Sequence, residues 1–339
     1  MLADMLQEIF HRLSGAFADL PPEETAGSCA AHLDKVVEHV VDEVSSRLRA
    51  VSGYARALRD PVRTTFRYID GIVGAIPAPL LCCRSTYADD PRINAFFVSP
   101  QHIQEVFSQS KEVRDLFETH PLAEECWALM CMRQEERRQF GMALVGGEVR
   151  KDVMQTVVSF TDHQLVSPGI DEATARCALK CCMFNGLLAH IRRRASDART
   201  RVADLDNRIV VAKRRLRALG QDSSQKPARR ELEAEIARLR RELSEDTLRL
   251  PTLTDHLRFA AECLSNPADI LRCDTRTLHL SRMAIKLEKG AEEAGYDLTL
   301  PEFRIASHAP RIGTLVHFPR NELLPPQDFL KEADLFLSL

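Results

Sequence analysis

Cysteine and histidine are the residues of this chain that could carry chemistry, and three groups bring them close in sequence. Cys177, Cys181 and Cys182 fall within two helical turns. Thiolates four residues apart share a helix face and suit a soft metal. The same positions lie on an apolar seam, where a free thiol packs as a small hydrophobe, and packing is the reading adopted for them. His120, Cys126 and Cys131 form a looser set, with Cys82-Cys83 as possible additions. Their spacing matches no paired C-x-x-C pattern. Thr161-Asp162-His163 follows a candidate strand. An Asp beside a His can hold an imidazole for general-base work, but no nucleophile is marked near it. A diffuse site built from Cys126, Cys131 and His163 is the enzyme or metal alternative. Asp255-His256 opens a helix and reads as a capping turn.

Phosphate and hydrolase signatures are missing. Gly146-Gly147 has no lysine after it, and there is no G-x-G-x-x-G, H-E-x-x-H or G-x-S-x-G. No catalytic residue, metal ligand or cofactor is assigned. The densest cationic group is Arg192-Arg193-Arg194 with Arg199 and Arg201. Such a set would meet phosphates or the carboxylates of a protein partner, and it is the candidate partner- or nucleic-acid-binding site. The segment 187–250 holds 17 Lys+Arg and 10 Asp+Glu in a chain of net charge −3, so an acidic remainder carries a basic stretch.

These arginines and three of the cysteines ride on one helical pattern. Apolar residues recur in steps of four and three: Cys177, Cys181, Phe184, Leu188, Ile191, Ala195, Ala198, Val202, Leu205, Ile209, Ala212, Leu216, Leu219. That heptad spacing keeps one seam facing a partner helix. Gly220 to Pro227 is a stop, a polar loop and a restart. Leu232, Ile236, Leu239 and Leu243 then repeat the period. In an antiparallel hairpin, facing residue numbers keep a constant sum. Leu216–Leu232, Ala212–Ile236, Ile209–Leu239 and Leu205–Leu243 satisfy this, and every pair is apolar. The flanking pairs Arg215–Glu235, Arg208–Glu242, Lys213–Glu233 and Asp206–Arg240 are opposite in charge. Arg201–Arg249 is a clash. The coiled coil is expected to end near Thr247, so the lower part of the outgoing helix, from about Asp171, needs another surface.

Before the long helix, residues 2–20 have helical spacing. A second helix is expected from Ser28, with the stripe Leu33, Val37, Val40, Val44, Leu48, Val51, Ala55, Leu58. Asp60-Pro61 is read as the cap of a third, which stops at Pro77. Asn94–Val98 reads as a strand. Ser99-Pro100 and Ser110 read as starts of helices. Cys126–Met132, Gln139–Val145 and Asp152–Phe160 read as a meander, turning at Glu135-Glu136-Arg137 and Gly146-Gly147. Thr254–Leu264 and Pro267–Gly290 read as helices, with Thr254 and Asn266 as caps. Asp297–Leu300, Phe303–Ser307 and Gly313–Phe318 read as strands that return to the meander, and Gln327–Leu337 as a short helix.

The expected fold is α+β and mostly helical, with a small antiparallel sheet and a long antiparallel coiled-coil hairpin arm. Its parts are a helical N-terminal unit 1–76, an α+β head 77–170, the arm 171–250 and a returning segment 251–339. Ten cysteines, four of them in two adjacent pairs, with no secretory pattern at the start, suggest free thiols in a reducing cytoplasm. The most apolar stretch, Ile69–Cys83, is broken by Asp70, Pro77 and Pro79, so no membrane association is expected. The functional expectation is a non-enzymatic scaffold, adaptor or assembly subunit. It would bind a protein through the arm or the N-terminal helices, with nucleic-acid association through the arginines as the alternative.

Overall fold

Apolar spacing decides where the helices form, and turn chemistry decides where they stop. The computed structural model describes residues 26–145, 148–219, 226–245, 250–287, 294–306 and 308–325. The expected helices at 2–20 and Gln327–Leu337, and the Gly146-Gly147 turn, lie outside the described residues. The fold is α+β. Among the described residues no helix is long and apolar enough to cross a membrane, and the described cysteines are free thiols. The chain divides into two discontinuous units, Met1–Arg67 with Phe184–Pro267, and Tyr68–Met183 with Ala268–Leu339.

The first unit is helical. Helix α1 spans Ala26–Val44, a 3-10 turn follows at Ser46–Ala50, and α2 begins at Tyr54 and runs to Ala75. The stripe is buried as its spacing requires, at Val37, Val40, Val44, Leu48 and Leu58. It is not one helix, however. Ser45 is extended and Gly53 takes φ +76°, a left-handed conformation that glycine adopts without steric cost. Pro61 sits inside α2 rather than at its start. The chain therefore gives up one backbone bond there and keeps the helix through packing.

Helix α7 (Glu172–Ala218) contributes Phe184, Leu188, Ile191, Ala195 and Ala198 to this unit, all buried. Phe184 stacks on Phe66 with ring centroids 4.7 Å apart, and His39 Nε2 lies 2.9 Å from the amide oxygen of buried Asn185. Helix α9 (Leu253–Ser265) closes the set, and Leu264 carbonyl accepts the Thr65 hydroxyl at 2.6 Å. The cap of α9 is Thr252, in a reciprocal capping box with Asp255, and not Thr254. Asn266 ends this helix instead of starting another.

Further along α7, Leu205 and Ile209 form a buried cluster with Leu239 of α8 (Lys226–Glu245), and Leu243 packs against it. Ala212 and Ile236 are buried as well. The ion pairs described at these positions run within each helix, Arg208 to Asp204 and Arg229 to Glu233. They stand in place of the expected Arg208–Glu242 and Lys213–Glu233, because a partner one turn away on the same helix is already in reach.

The second unit is a curled antiparallel sheet with short helices on it. Its strands are β1 (Leu80–Leu81), β2 (Glu125–Val145), β3 (Glu148–Gly169), β4 (Leu271–Ser281), β5 (Gly295–Ile305) and β6 (Arg311–Pro319). The order is β3-β2-β6-β5-β4, with β1 parallel to β6. The C-terminal strands return to the meander, since β6 pairs with β2 from Glu125 to Met132.

The expected three-strand meander is two long strands. Glu135-Glu136-Arg137 lies in mid-strand opposite Val157, Val158 and Ser159. No glycine or proline breaks the backbone there, and Glu136 is held by Lys286 at 3.2 Å and Arg276 at 3.5 Å. Three register shifts interrupt the β2–β3 pairing. Each coincides with a β3 residue of positive φ: Asp152 (62°), Asp162 (54°) and Ser167 (56°). These are bulges, which bend and twist a strand. The curl ends where Val157 bridges Ile285 and Leu280 bridges Lys286.

Two more expectations change. Asn94–Val98 is not a strand: Asp90 caps helix α4 (Pro91–Phe96), with Pro91 at its first position. Where the expected helix Pro267–Gly290 is described, to residue 287, it is a 3-10 turn followed by β4, whose Thr275 and Thr277 suit a strand better than a helix; residues 288–290 lie outside the described residues. Helix α3 is one turn (Thr86–Asp89). Ser99 and Ser110 cap α5 (Pro100–Gln109) and α6 (Lys111–Thr119) as read. The core joins Phe96, Ile103, Phe107 and Phe117 of these helices to Met130, Phe160, Leu298 and Phe318 of the sheet.

Candidate functional site

The five arginines lie on α7 in the helical unit, and all are exposed. Their neighbours on the same helix, Ile191, Ala195 and Ala198, face the core. Burial of that stripe is what turns the guanidinium groups outward. Arg192 is tied to Glu43 of α1 at 3.2 Å. The guanidinium of Arg194 lies over the Phe259 ring of α9 at 5.5 Å, a cation–π contact. Arg199 Nε donates to the Ala195 carbonyl at 3.3 Å, and Arg201 is likewise engaged.

Beneath them lies His256, 3% exposed, whose Nε2 has no hydrogen-bond partner among the described residues. Burial, and after it the nearby Arg199, hold this imidazole below its ordinary range. The patch thus sets guanidinium groups, one of them paired with Glu43, above a buried histidine. Such a patch can recognise an anion.

No family model matches this chain, and neither a curated protein nor a solved structure matches it. The residues themselves must carry the reading.

The sheet unit separates the cysteine and histidine candidates. Cys126 is on the core face of β2 with Ala128, Met130 and Met132. Cys131 has the opposite parity and points to the other face. Burial pushes both thiols up to about 12, so neither is a ready thiolate. Cys82 is raised by burial as well. Burial works against ionisation of Cys83 too, but hydrogen bonds from Ser85 and Thr86 outweigh it and leave the thiol lowered. His120 ends α6.

Asp162 and His163 do not form a dyad. The Asp162 carboxylate pairs with Arg311 at 2.7 Å and Arg133 at 3.3 Å, and the Arg311 bond holds it below the usual carboxylate range. His163 Nε2 donates to the Phe96 carbonyl at 2.8 Å, and its ring stacks on Phe97. Burial lowers it. Among the described residues no three His, Cys, Asp or Glu side chains are grouped to hold a metal.

On α7 the packing assigned to Cys177 is not found: it is exposed, while Ala175 and Leu179 are buried in its place. Cys181 is half-buried and raised by burial to about 12. The seam is offset over these first turns, which belong to the sheet unit, where the helix start packs beside Gly169. Glu43, Phe259 and His256 were missed as members of the arginine site. They come from other helices at no fixed spacing, and only Glu43 carries a signal, as an acid on the stripe-bearing helix.

Proposed function

We propose that this chain is a non-enzymatic interaction protein, and that α7 and α8 form an antiparallel coiled-coil arm that engages a protein partner. The supporting observation is the buried cluster Leu205–Ile209–Leu239 with Leu243. It closes the seam within one chain and leaves the outer surface of the helices for others. On that surface Val210 and Val211 are 44% and 45% exposed, adjacent apolar residues on a helix whose apolar stripe is already satisfied. Towards the helix ends, Leu219, Ala228 and Leu232 line a surface recess with Arg215 and Glu235. An apolar floor with charges at its rim is the anatomy of a protein contact.

The test replaces Val210 and Val211 by aspartate, both outside the seam. In-cell cross-linking followed by mass spectrometry is expected to give a partner peptide attached to the Lys213 region, lost in the variant while the thermal transition stays within about 1 kcal/mol of the parent. A cross-link map identical for parent and variant would remove the reading.

A second reading, anion binding by Arg192–Arg201 as on nucleic acid, rests on the exposure of all five side chains. It requires heparin retention that falls steeply with salt and is lost when Arg193 and Arg199 become glutamate. The internal contacts of Arg192 and Arg194 count against it.

A further inference from the structure

The β2–β3 hairpin runs beyond the sheet that it helps to form. β6 leaves β2 at Met132, and the bridge to Ile285 meets β3 at Val157. From Arg137 to Val145 and from Glu148 to Gln155, the described pairing partners of the two strands are each other. This two-stranded ribbon has unlike faces. Phe140 stands directly opposite Met154, and Met142 follows on the same face. The three are 68%, 55% and 65% exposed.

Cations bracket them. Arg138 lies two residues before Phe140 on that face. Met142, between the pairs Gly141–Val153 and Ala143–Arg150, falls beside Lys151 and Asp152 at the bulge. Arg138 and Lys151 are both exposed; Arg137 and Arg150, opposite Val157 and Ala143, belong to the other face, where Arg137 pairs with Glu135 at 3.2 Å. The other face is closed by Gln155, which is buried, packs over Gly141 and donates to the Met142 carbonyl at 2.8 Å.

We infer that this ribbon lies flat on an anionic lipid bilayer, with Phe140, Met142 and Met154 in the interface and Arg138 and Lys151 reaching the headgroups. Charge complementarity selects the occupant. A second copy packed on this face would bring Arg138 and Lys151 of both chains to one surface. A nucleic acid would use the cations but leave three large apolar side chains with nothing to bury them, since its affinity comes from phosphate neutralisation. A bilayer surface satisfies both halves. The apolar face enters the acyl boundary, and long basic side chains reach back to lipid phosphates. This needs no spanning helix, because the ribbon rests in the interface.

The test is sedimentation of the full chain with sucrose-loaded phosphatidylcholine vesicles, with and without phosphatidylglycerol. Binding is expected only with phosphatidylglycerol and should weaken with salt. Phe140→Ser with Met154→Ser should lower partitioning about tenfold or more. Arg138→Glu with Lys151→Glu should remove the phosphatidylglycerol dependence. All four positions are exposed, so both variants keep the fold, and circular dichroism verifies it. Absence of binding overturns the inference, and so does binding that neither variant changes. A light-scattering mass that drops in the serine variant would assign the patch to a second copy. Ribbon-dependent binding of a generic DNA duplex without vesicle binding would assign it to nucleic acid. Either result overturns the proposal.

Discussion

Truncating Leu239 to alanine tests the packing on which the proposed arm rests. Its side chain is fully buried, with Leu205 and Ile209 each 6% exposed beside it and Leu243 against the cluster. Leu→Ala in a closed core costs about 2–5 kcal/mol. This cluster is small and borders solvent, so the helices can close partly over the gap. The lower part of that range, about 2–3 kcal/mol, is expected. The loss falls on local opening of α8, so amides of Lys226–Glu245 should exchange roughly 30- to 150-fold faster. Amides of β2 and β6, in the other unit, should not change. Val210→Ala, at a site 44% exposed, is the matched control and should cost about 0.5 kcal/mol or less. Hydrogen exchange read by mass spectrometry measures both. An Ile209→Ala, Leu239→Ala cycle should add a coupling of about 0.5–3 kcal/mol. Equal acceleration by Leu239→Ala and Val210→Ala, or zero coupling, would refute the packing and the arm with it.

Two other outcomes are expected. His256 is buried neutral, so its folded pKa lies below the unfolded value of about 6.5. The unfolded chain then binds the extra proton first, and the stability of the helical unit is present above about pH 6.5 and lost as pH falls below it. Residue-resolved NMR should place the His256 midpoint below 6.5, and His256→Leu should flatten that acid limb; a midpoint at or above 6.5 contradicts the assignment. Gly169 and Gly186 should respond in opposite directions to alanine. A Cβ at Gly169 would stand 2.6 Å from the Ala175 backbone nitrogen, whereas one at Gly186 meets nothing within 4 Å. Gly169→Ala should cost about 1–3 kcal/mol by overpacking and Gly186→Ala should gain up to about 1 kcal/mol of helix propensity, as read from denaturant midpoints.

What was legible in the sequence was what local chemistry controls. Ser99-Pro100 and Ser110 carry their own capping groups, so the helices start where they say. The seam from Phe184 to Ala212 reads correctly because heptad spacing and burial are one constraint. The seam fails at Cys177, where the helix meets a different surface and the period alone cannot show the change. Asn94–Val98 has strand-like residues, but the Asp90-Pro91 cap decides its conformation. β4 was mistaken for a helix because Leu271 and Leu278, seven residues apart, also fit a helical spacing, while the sheet partner that selects the strand is β5, at Gly295–Ile305. The arginine patch was visible as a cluster. Its engagement by Glu43 and Phe259 was not, since tertiary contacts of this kind leave no trace in spacing.

The left-handed residues of β3 also determine how the hairpin can assemble. An L-residue in that conformation costs about 1–2 kcal/mol, least for Asp, Asn and similar short polar side chains. Asp152, Asp162 and Ser167 meet that demand. Suppose β3 slipped one residue along β2 while the bends stayed where the core needs them. In one direction the left-handed sites would fall on Val153, His163 and Pro168, and proline cannot take a positive φ. In the other they would fall on Lys151, Thr161 and Val166, two of them β-branched. Either slip is penalised at three points at once. A one-residue slip would also turn Val158 and Phe160 away from the core. Three short polar residues act as an indexing ratchet that leaves this hairpin one way to zip.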